Sequence, residues 1–218
     1  MDEEKKRKIF MEEKIQGGVA VQEVRLIIAD IKKLNLSPEV ILPQIAPCYV
    51  EKYHRFKVEQ EARQELVTGY LLRKYLGVCE DGQLRVNEKK KPYLSKGKPF
   101  FNISHSENYV VLAIADCEVG VDIEKIRPFH EATARRVFSE EQLLQLQQME
   151  ETGRDEAFSK MWTGCEAVLK LYGVGFSIDW AKIRSMVANT PVSSIRYKDF
   201  FISCAAEETI MIEVEEIS

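Results

Sequence analysis

The feature that most constrains the fold is a pair of strand signals set one after the other in mid-chain. Tyr109 to Ala115 (YVVLAIA) is an uninterrupted apolar run, rich in β-branched residues and short for a helix, so it reads as a buried strand. Glu118 to Glu124 (EVGVDIE) then alternates strictly. Side chains repeat every second residue along a strand, which puts Val119, Val121 and Ile123 on one face and Gly120, Asp122 and Glu124 on the other. Asp122 and Glu124 are thereby held side by side with Cβ atoms ~7 Å apart, and the glycine clears space beside them. Like charges so placed repel unless a cation lies between them. A hard divalent ion with oxygen ligands is the natural candidate. A lone D-x-E is most often a solvated strand face. Here the pair ends a strongly apolar segment, and Asn102 to Ser106 (NISHS) sets small polar and imidazole side chains into that segment just upstream. A purely solvent-facing strand would need neither.

Composition narrows the class of protein. The 218 residues suffice for one generous domain or two small ones, and 45% hydrophobic with 30% charged content is ordinary for a soluble globular chain. A net charge of −4 argues against a general nucleic-acid binder. No apolar run approaches membrane-spanning length, and the start (MDEEKKRKIF) is too charged for a secretory signal, so no membrane partner is expected. The cysteines, Cys48, Cys79, Cys117, Cys165 and Cys204, are odd in number and lack C-x-x-C spacing. They read as free thiols in a reducing cytoplasm.

In chain order, residues 1–18 are nearly all charged and read as a frayed extension. Val24 to Ile31 is a strand candidate, and Ser37-Pro38 opens a short helix running to Ile45. Tyr49 to Leu76 reads as mainly helical, with Val58, Ala62, Leu66, Gly69, Leu72 and Leu76 as its core stripe and Gly77 as its C-cap. Lys52, His54, Arg55 and Lys57 crowd the stretch before that stripe. Arg85 to Lys98 is the most basic part of the chain. Such runs are usually solvated loops, yet a cationic loop can also steer and hold a phosphorylated ligand. Pro128 breaks the chain before one or two polar helices reaching Glu150. Arg154 to Tyr172 is the clearest helix, with Phe158, Met161, Trp162, Cys165, Leu169 and Tyr172 on one stripe and Glu166 and Lys170 on its flank. The glycines of Tyr172 to Ser177 (YGVGFS) follow a helix, so they are no dinucleotide fingerprint. Arg196 to Cys204 and Thr209 to Val214 read as strands of an antiparallel hairpin.

GKPFFNISHS followed by VGVDIE, and later Trp162-Thr163-x-x-Glu166-Ala167-x-x-Lys170, resembles the 4′-phosphopantetheinyl transferases of the larger, surfactin-synthetase-activating type, over roughly Pro47 to Asp179. The resemblance implies an α+β fold of two similar halves related by a pseudo-two-fold axis. The expected halves are residues 19–116 and 117–218, the second carrying most metal ligands and the active site lying between the two. It implies a monomer whose partners are coenzyme A and an apo acyl or peptidyl carrier protein. The activity implied is transfer of 4′-phosphopantetheine from CoA to a carrier serine, with release of adenosine 3′,5′-bisphosphate, in fatty-acid, polyketide or nonribosomal-peptide synthesis. Residue by residue, it implies Asp122, Glu124 and Glu166 as Mg²⁺ ligands, and Glu166 and Lys170 as catalytic groups. Arg63, Lys91, Pro92, Ser104, His105 and Lys170 would meet CoA. Outside its motif, His105 would read as a turn histidine satisfied by backbone. The family pattern has lysine immediately before the metal-binding glutamate, where this chain has Cys165, a position in mid-stripe that suits packing and not nucleophilic chemistry. That departure leaves an alternative, a weakened relative that binds CoA or carrier protein without efficient transfer.

Overall fold

The computed structural model describes residues 6–7, 21–175 and 178–218. Apart from Lys6 and Arg7, the expected N-terminal extension lies outside these residues, as do Phe176 and Ser177 of the glycine-rich segment. The chain is α+β.

The first sheet is built on β2 (Gln22–Asp30), flanked by β6 (Tyr109–Ala115) and, beyond it, β5 (Phe100–Ser106). Its other side carries β10 (Ile210–Ile217) and the two-residue β1 (Lys6–Arg7), giving the order β1-β10-β2-β6-β5. The apolar run of β6 has its physical reason here, since both faces of the strand are covered. Val110 and Leu112 pack with Leu66, Leu71 and Leu72 of α3 (Glu59–Leu76) and Tyr49 of α2 (Pro47–Arg55). Val111, Ala113 and Ala115 pack instead with Val121, Ile123 and Ile202 of a second sheet. That sheet, in the order β7-β9-β8, comprises β7 (Gly120–Lys125), β9 (Phe200–Ala205) and β8 (Val192–Tyr197), all antiparallel. Its outer face is covered by α6 (Glu151–Tyr172).

Several expectations hold. β6 spans the predicted residues, the polar stretch after Pro128 forms two short helices, α4 (Glu131–Val137) and α5 (Glu140–Gln148), and Gly77 caps α3 with φ 71°. The short helix α1 (Pro38–Ile41) tightens into a 3₁₀ turn at Leu42–Gln44. α3 begins later than its stripe implied. Val58 is the extended N-cap residue and is 54% exposed, because the chain breaks between α2 and α3 at Phe56. α6 begins earlier, at Glu151.

The C-terminal hairpin is a different one from that expected. β8 turns through Lys198 (φ 54°) into β9, pairing Tyr197 with Phe200. β10 leaves that sheet and lies parallel to β2, from Ile210 opposite Gln22 to Ile217 opposite Ala29. Alternation identifies a strand's faces but not its neighbour. Among the described residues, no helix is long and apolar enough to cross a membrane.

Candidate active site

Gly120 and α6 bring the acidic groups together. A Cβ at Gly120 would overlap the Ala167 carbonyl oxygen and the Leu171 nitrogen, so helix and strand approach as closely as backbones can. The face of β7 shared by Gly120, Asp122 and Glu124 therefore looks onto α6. Glu166 and Lys170, one helical turn apart, meet the strand carboxylates there. Carboxylate oxygens of Asp122, Glu124 and Glu166 lie within 4.8 Å of one another.

The NISHS segment is a strand, and its alternation explains its composition. Asn102 and Ser104 point from the edge of the first sheet toward the edge of the second. Asn102 Oδ1 accepts from the Val121 amide at 2.9 Å, and Ser104 Oγ accepts from the Ile123 amide at 3.3 Å. These two side chains thus serve amides of β7 that lack a backbone ladder on that side. Ser104 also donates to Asp122 Oδ1 at 2.9 Å, and Lys170 Nζ reaches both Ser104 Oγ and Asp122 Oδ1 at 2.7 Å.

Asp122 is 2% exposed, and while its Oδ1 is doubly bonded, its Oδ2 is buried without a hydrogen-bond partner. A buried carboxylate oxygen left unsatisfied is costly, and Asp122 has two further carboxylates beside it. Burial, then the charge of Asp122, pushes the Glu166 carboxyl up to about 7, against the pull of Lys170. Burial and Asp122 likewise raise Glu124. An all-oxygen donor set with an orphaned inner oxygen and mutual repulsion fits a hard divalent cation such as Mg²⁺.

The other expected residues divide. His105 follows Ser104 and by alternation faces the helical side, where Glu65 of α3 and Lys52 of α2 are charged neighbours. It is an exposed strand residue and not a turn residue, and partial loss of hydration there holds its imidazole below the usual range. Pro92 and Lys91 line a pocket of about 240 Å³ with Phe100, Phe101 and Glu118. The Lys91 ammonium is turned to the protein, bonding the Leu171 carbonyl at 2.9 Å and Glu118 at 2.6 Å. Arg63 lines a groove with Lys32, Val58 and Asn108, with Glu59 at 3.4 Å. Cys165 is fully buried among Phe158, Leu169 and Ile183, and burial pushes its thiol up to about 12.

Sequence reasoning passed over Asn102 as a bridge, the Lys52–Glu65 ion pair at 3.3 Å, and Arg127. The Arg127 guanidinium lies over the rings of Trp162 (5.0 Å) and Phe158 (5.7 Å), and its charge favours ionised Glu124 and Glu166. Its place three residues beyond Glu124, where the strand gives way to a loop, was the available signal.

Comparison with known proteins points the same way as this geometry. The family model described as "4′-phosphopantetheinyl transferase superfamily" matches residues 118–211. The chain is 29% identical over 159 residues to 4′-phosphopantetheinyl transferase psf-1 of Bacillus pumilus, covering 70% of this chain and 68% of that protein. It is 33% identical over 135 residues to 4′-phosphopantetheinyl transferase gsp of Aneurinibacillus migulanus, covering 59% and 56%. To 4′-phosphopantetheinyl transferase Sfp of Bacillus subtilis (strain 168) it is 29% identical over 142 residues, or 62% of each chain. The match thus spans from somewhat over half to about two thirds of these relatives' lengths.

Proposed function

We propose that this chain, which belongs to the 4′-phosphopantetheinyl transferase superfamily, moves the 4′-phosphopantetheine of CoA onto a serine of an apo acyl or peptidyl carrier protein. The observation that carries the reading is the convergence of Asp122, Glu124 and Glu166, one carboxylate oxygen of each within 4.8 Å of the others, with Lys170 held beside them and Asp122 Oδ2 buried without a hydrogen-bond partner. These three residues would hold Mg²⁺, which neutralises charge gathering on the pyrophosphate oxygens.

In the reaction the serine oxygen forms a bond to the phosphorus that bears pantetheine. The bond from that phosphorus to the bridging oxygen breaks, and adenosine 3′,5′-bisphosphate departs. Catalysis of such a step is mostly positioning and charge stabilisation. Lys170, oriented by Asp122 and Ser104, supplies a fixed cation at the edge of the cluster. Glu166, the candidate base at the cluster, would take the serine proton. His105, on the exposed rim of β5, would meet a phosphate of CoA, and the pocket lined by Pro92, Phe100 and Phe101 would take another part of that co-substrate. The five cysteines, all free, agree with a reducing compartment such as the cytoplasm.

Mass spectrometry of an apo carrier incubated with CoA and Mg²⁺ tests this reading through a gain of ~340 Da, the mass of the transferred group. Asp122→Asn is expected to lower the rate by at least about 10²-fold with the fold retained, since it removes an anionic ligand of the proposed Mg²⁺. Near-normal turnover in that variant at saturating Mg²⁺ would sink the assignment. A wild type that binds CoA without producing the mass gain would support the weakened relative instead.

A further inference from the structure

The basic hairpin contains two lysines that the proposed chemistry does not use as the sequence implied. β3 (Leu84–Val86) and β4 (Pro92–Leu94) are joined by a loop that Asn87 organises, its Oδ1 accepting from the amides of Lys89 (3.0 Å) and Lys91 (2.9 Å). This loop lies directly on the end of α6. A Cβ at the C-cap Gly173 would stand 3.3 Å from Lys89 Cβ and 3.5 Å from Lys91 Cβ. Lys89 Nζ donates to the Tyr172 carbonyl at 3.1 Å, and Lys91 Nζ to the Leu171 carbonyl at 2.9 Å. Both cations thus satisfy carbonyls that a helix leaves unpaired, at its negative end. Lys91 does more, because the same ammonium bonds Glu118 at 2.6 Å and its side chain is 9% exposed.

Those two anchors belong to the elements that carry the acidic site. Leu171 directly follows Lys170 on α6, and Glu118 stands two residues before Gly120, where β7 begins. We propose that Lys91 is a positioning residue: it brackets the end of α6 to the start of β7 and so sets the spacing of Glu166 and Lys170 against Asp122 and Glu124. Its ammonium acts through the helix terminus and Glu118 and not by contact with a CoA phosphate. The bracket lies beside Gly120, where helix and strand backbones touch, so a shift there is passed to the carboxylates with little slack. This inference rests on the reading of the three carboxylates as metal ligands.

The test is Lys91→Met in the full chain, read in three ways. Calorimetry with Mg²⁺ alone is expected to show affinity weakened about tenfold, the lower end of what loss of an outer support costs a metal site. Amide exchange from Lys170 to Val174 is expected to accelerate. In transfer, kcat should fall while KM for CoA stays within about twofold and keeps its salt dependence. Unchanged Mg²⁺ affinity and exchange, with a raised KM for CoA and a shallower salt dependence, would overturn the proposal and put the ammonium on phosphate. Should Lys91→Met fail to fold, Glu118→Gln removes one anchor and keeps the other. A fall in Mg²⁺ affinity there supports the bracket, and an unchanged value overturns it. Asp122→Asn serves as the control for the metal reading. If that variant binds Mg²⁺ as the wild type does, the metal assignment has failed, and the exchange measurement decides the bracket on its own.

Discussion

Cys165 occupies a position where the related pattern has a lysine, and its surroundings say what the exchange does. The thiol is enclosed by Phe158, Leu169 and Ile183 and held far above neutrality by burial, so it is neither a ligand nor a nucleophile. Cys165→Ser should leave transfer within about threefold of wild type in the carrier assay, at a modest cost in thermal stability. Abolished transfer in a folded Cys165→Ser protein would place the thiol in the mechanism. Glu166, the next residue, makes the opposite case. Its folded-state carboxyl binds a proton more tightly than the unfolded chain does, because burial and Asp122 raise it to about 7. The stability it contributes is therefore complete below the ordinary carboxylate range and is lost as pH rises through about 7. A bound divalent cation relieves the same repulsion. Thermal melts at about pH 5 and about pH 8 should show Mg²⁺ raising Tm more at the higher pH. Equal shifts at both would count against a metal at this cluster.

Among the elements, the contact of β7 with α6 decides the site, and two glycines there have opposite roles. At Gly120 any side chain would collide with helix backbone at Ala167 and Leu171. Gly120→Ala should cost about 3 kcal/mol or more, since the obstacle is backbone that cannot rotate away, and it should weaken Mg²⁺ binding in calorimetry. Gly164, within α6, has only the Val192 methyl at 3.4 Å from a built Cβ. Gly164→Ala should therefore raise stability by up to ~1 kcal/mol in urea unfolding, through helix propensity. If both substitutions cost alike, the close approach at Gly120 is not what orders the site.

The whole molecule is tied together by its last strand. β10 crosses back to lie beside β2, and its Glu215, 4% exposed, accepts from Tyr75 of α3 at 2.6 Å and from Arg25 Nε of β2 at 3.0 Å. Burial alone would raise the Glu215 carboxyl, but the Tyr75 hydroxyl and the Arg25 guanidinium outweigh it and hold it below the usual range. Its stability is thus present above the unfolded carboxylate value and is lost as pH falls through the lowered folded value. The stability gap between wild type and Glu215→Gln should accordingly close as pH falls from about 5 towards about 2, followed by chemical denaturation. A gap that stays constant would make the contribution one of shape and not of charge.

The local elements of this protein were legible in its residues. The apolar run of β6, the alternation through Asp122 and Glu124, the α6 stripe and the Gly77 cap follow from side-chain period and from glycine's access to positive φ, which are properties of neighbouring residues. The pairing of Asp122 with Glu124 was legible too, from strand alternation, whereas Glu166 and Lys170 became candidates through the resemblance of their motif to the transferase family. Tertiary structure decided what these residues face. It paired β10 with β2 and not β9, exposed Val58, set Arg63 in a groove with Lys32 and Asn108, and turned the Lys91 ammonium onto a helix end. Strand partners and the direction of a long charged side chain depend on segments tens of residues distant, and each is settled by burying apolar faces and satisfying backbone groups across the whole chain. Local pattern carries no record of that competition.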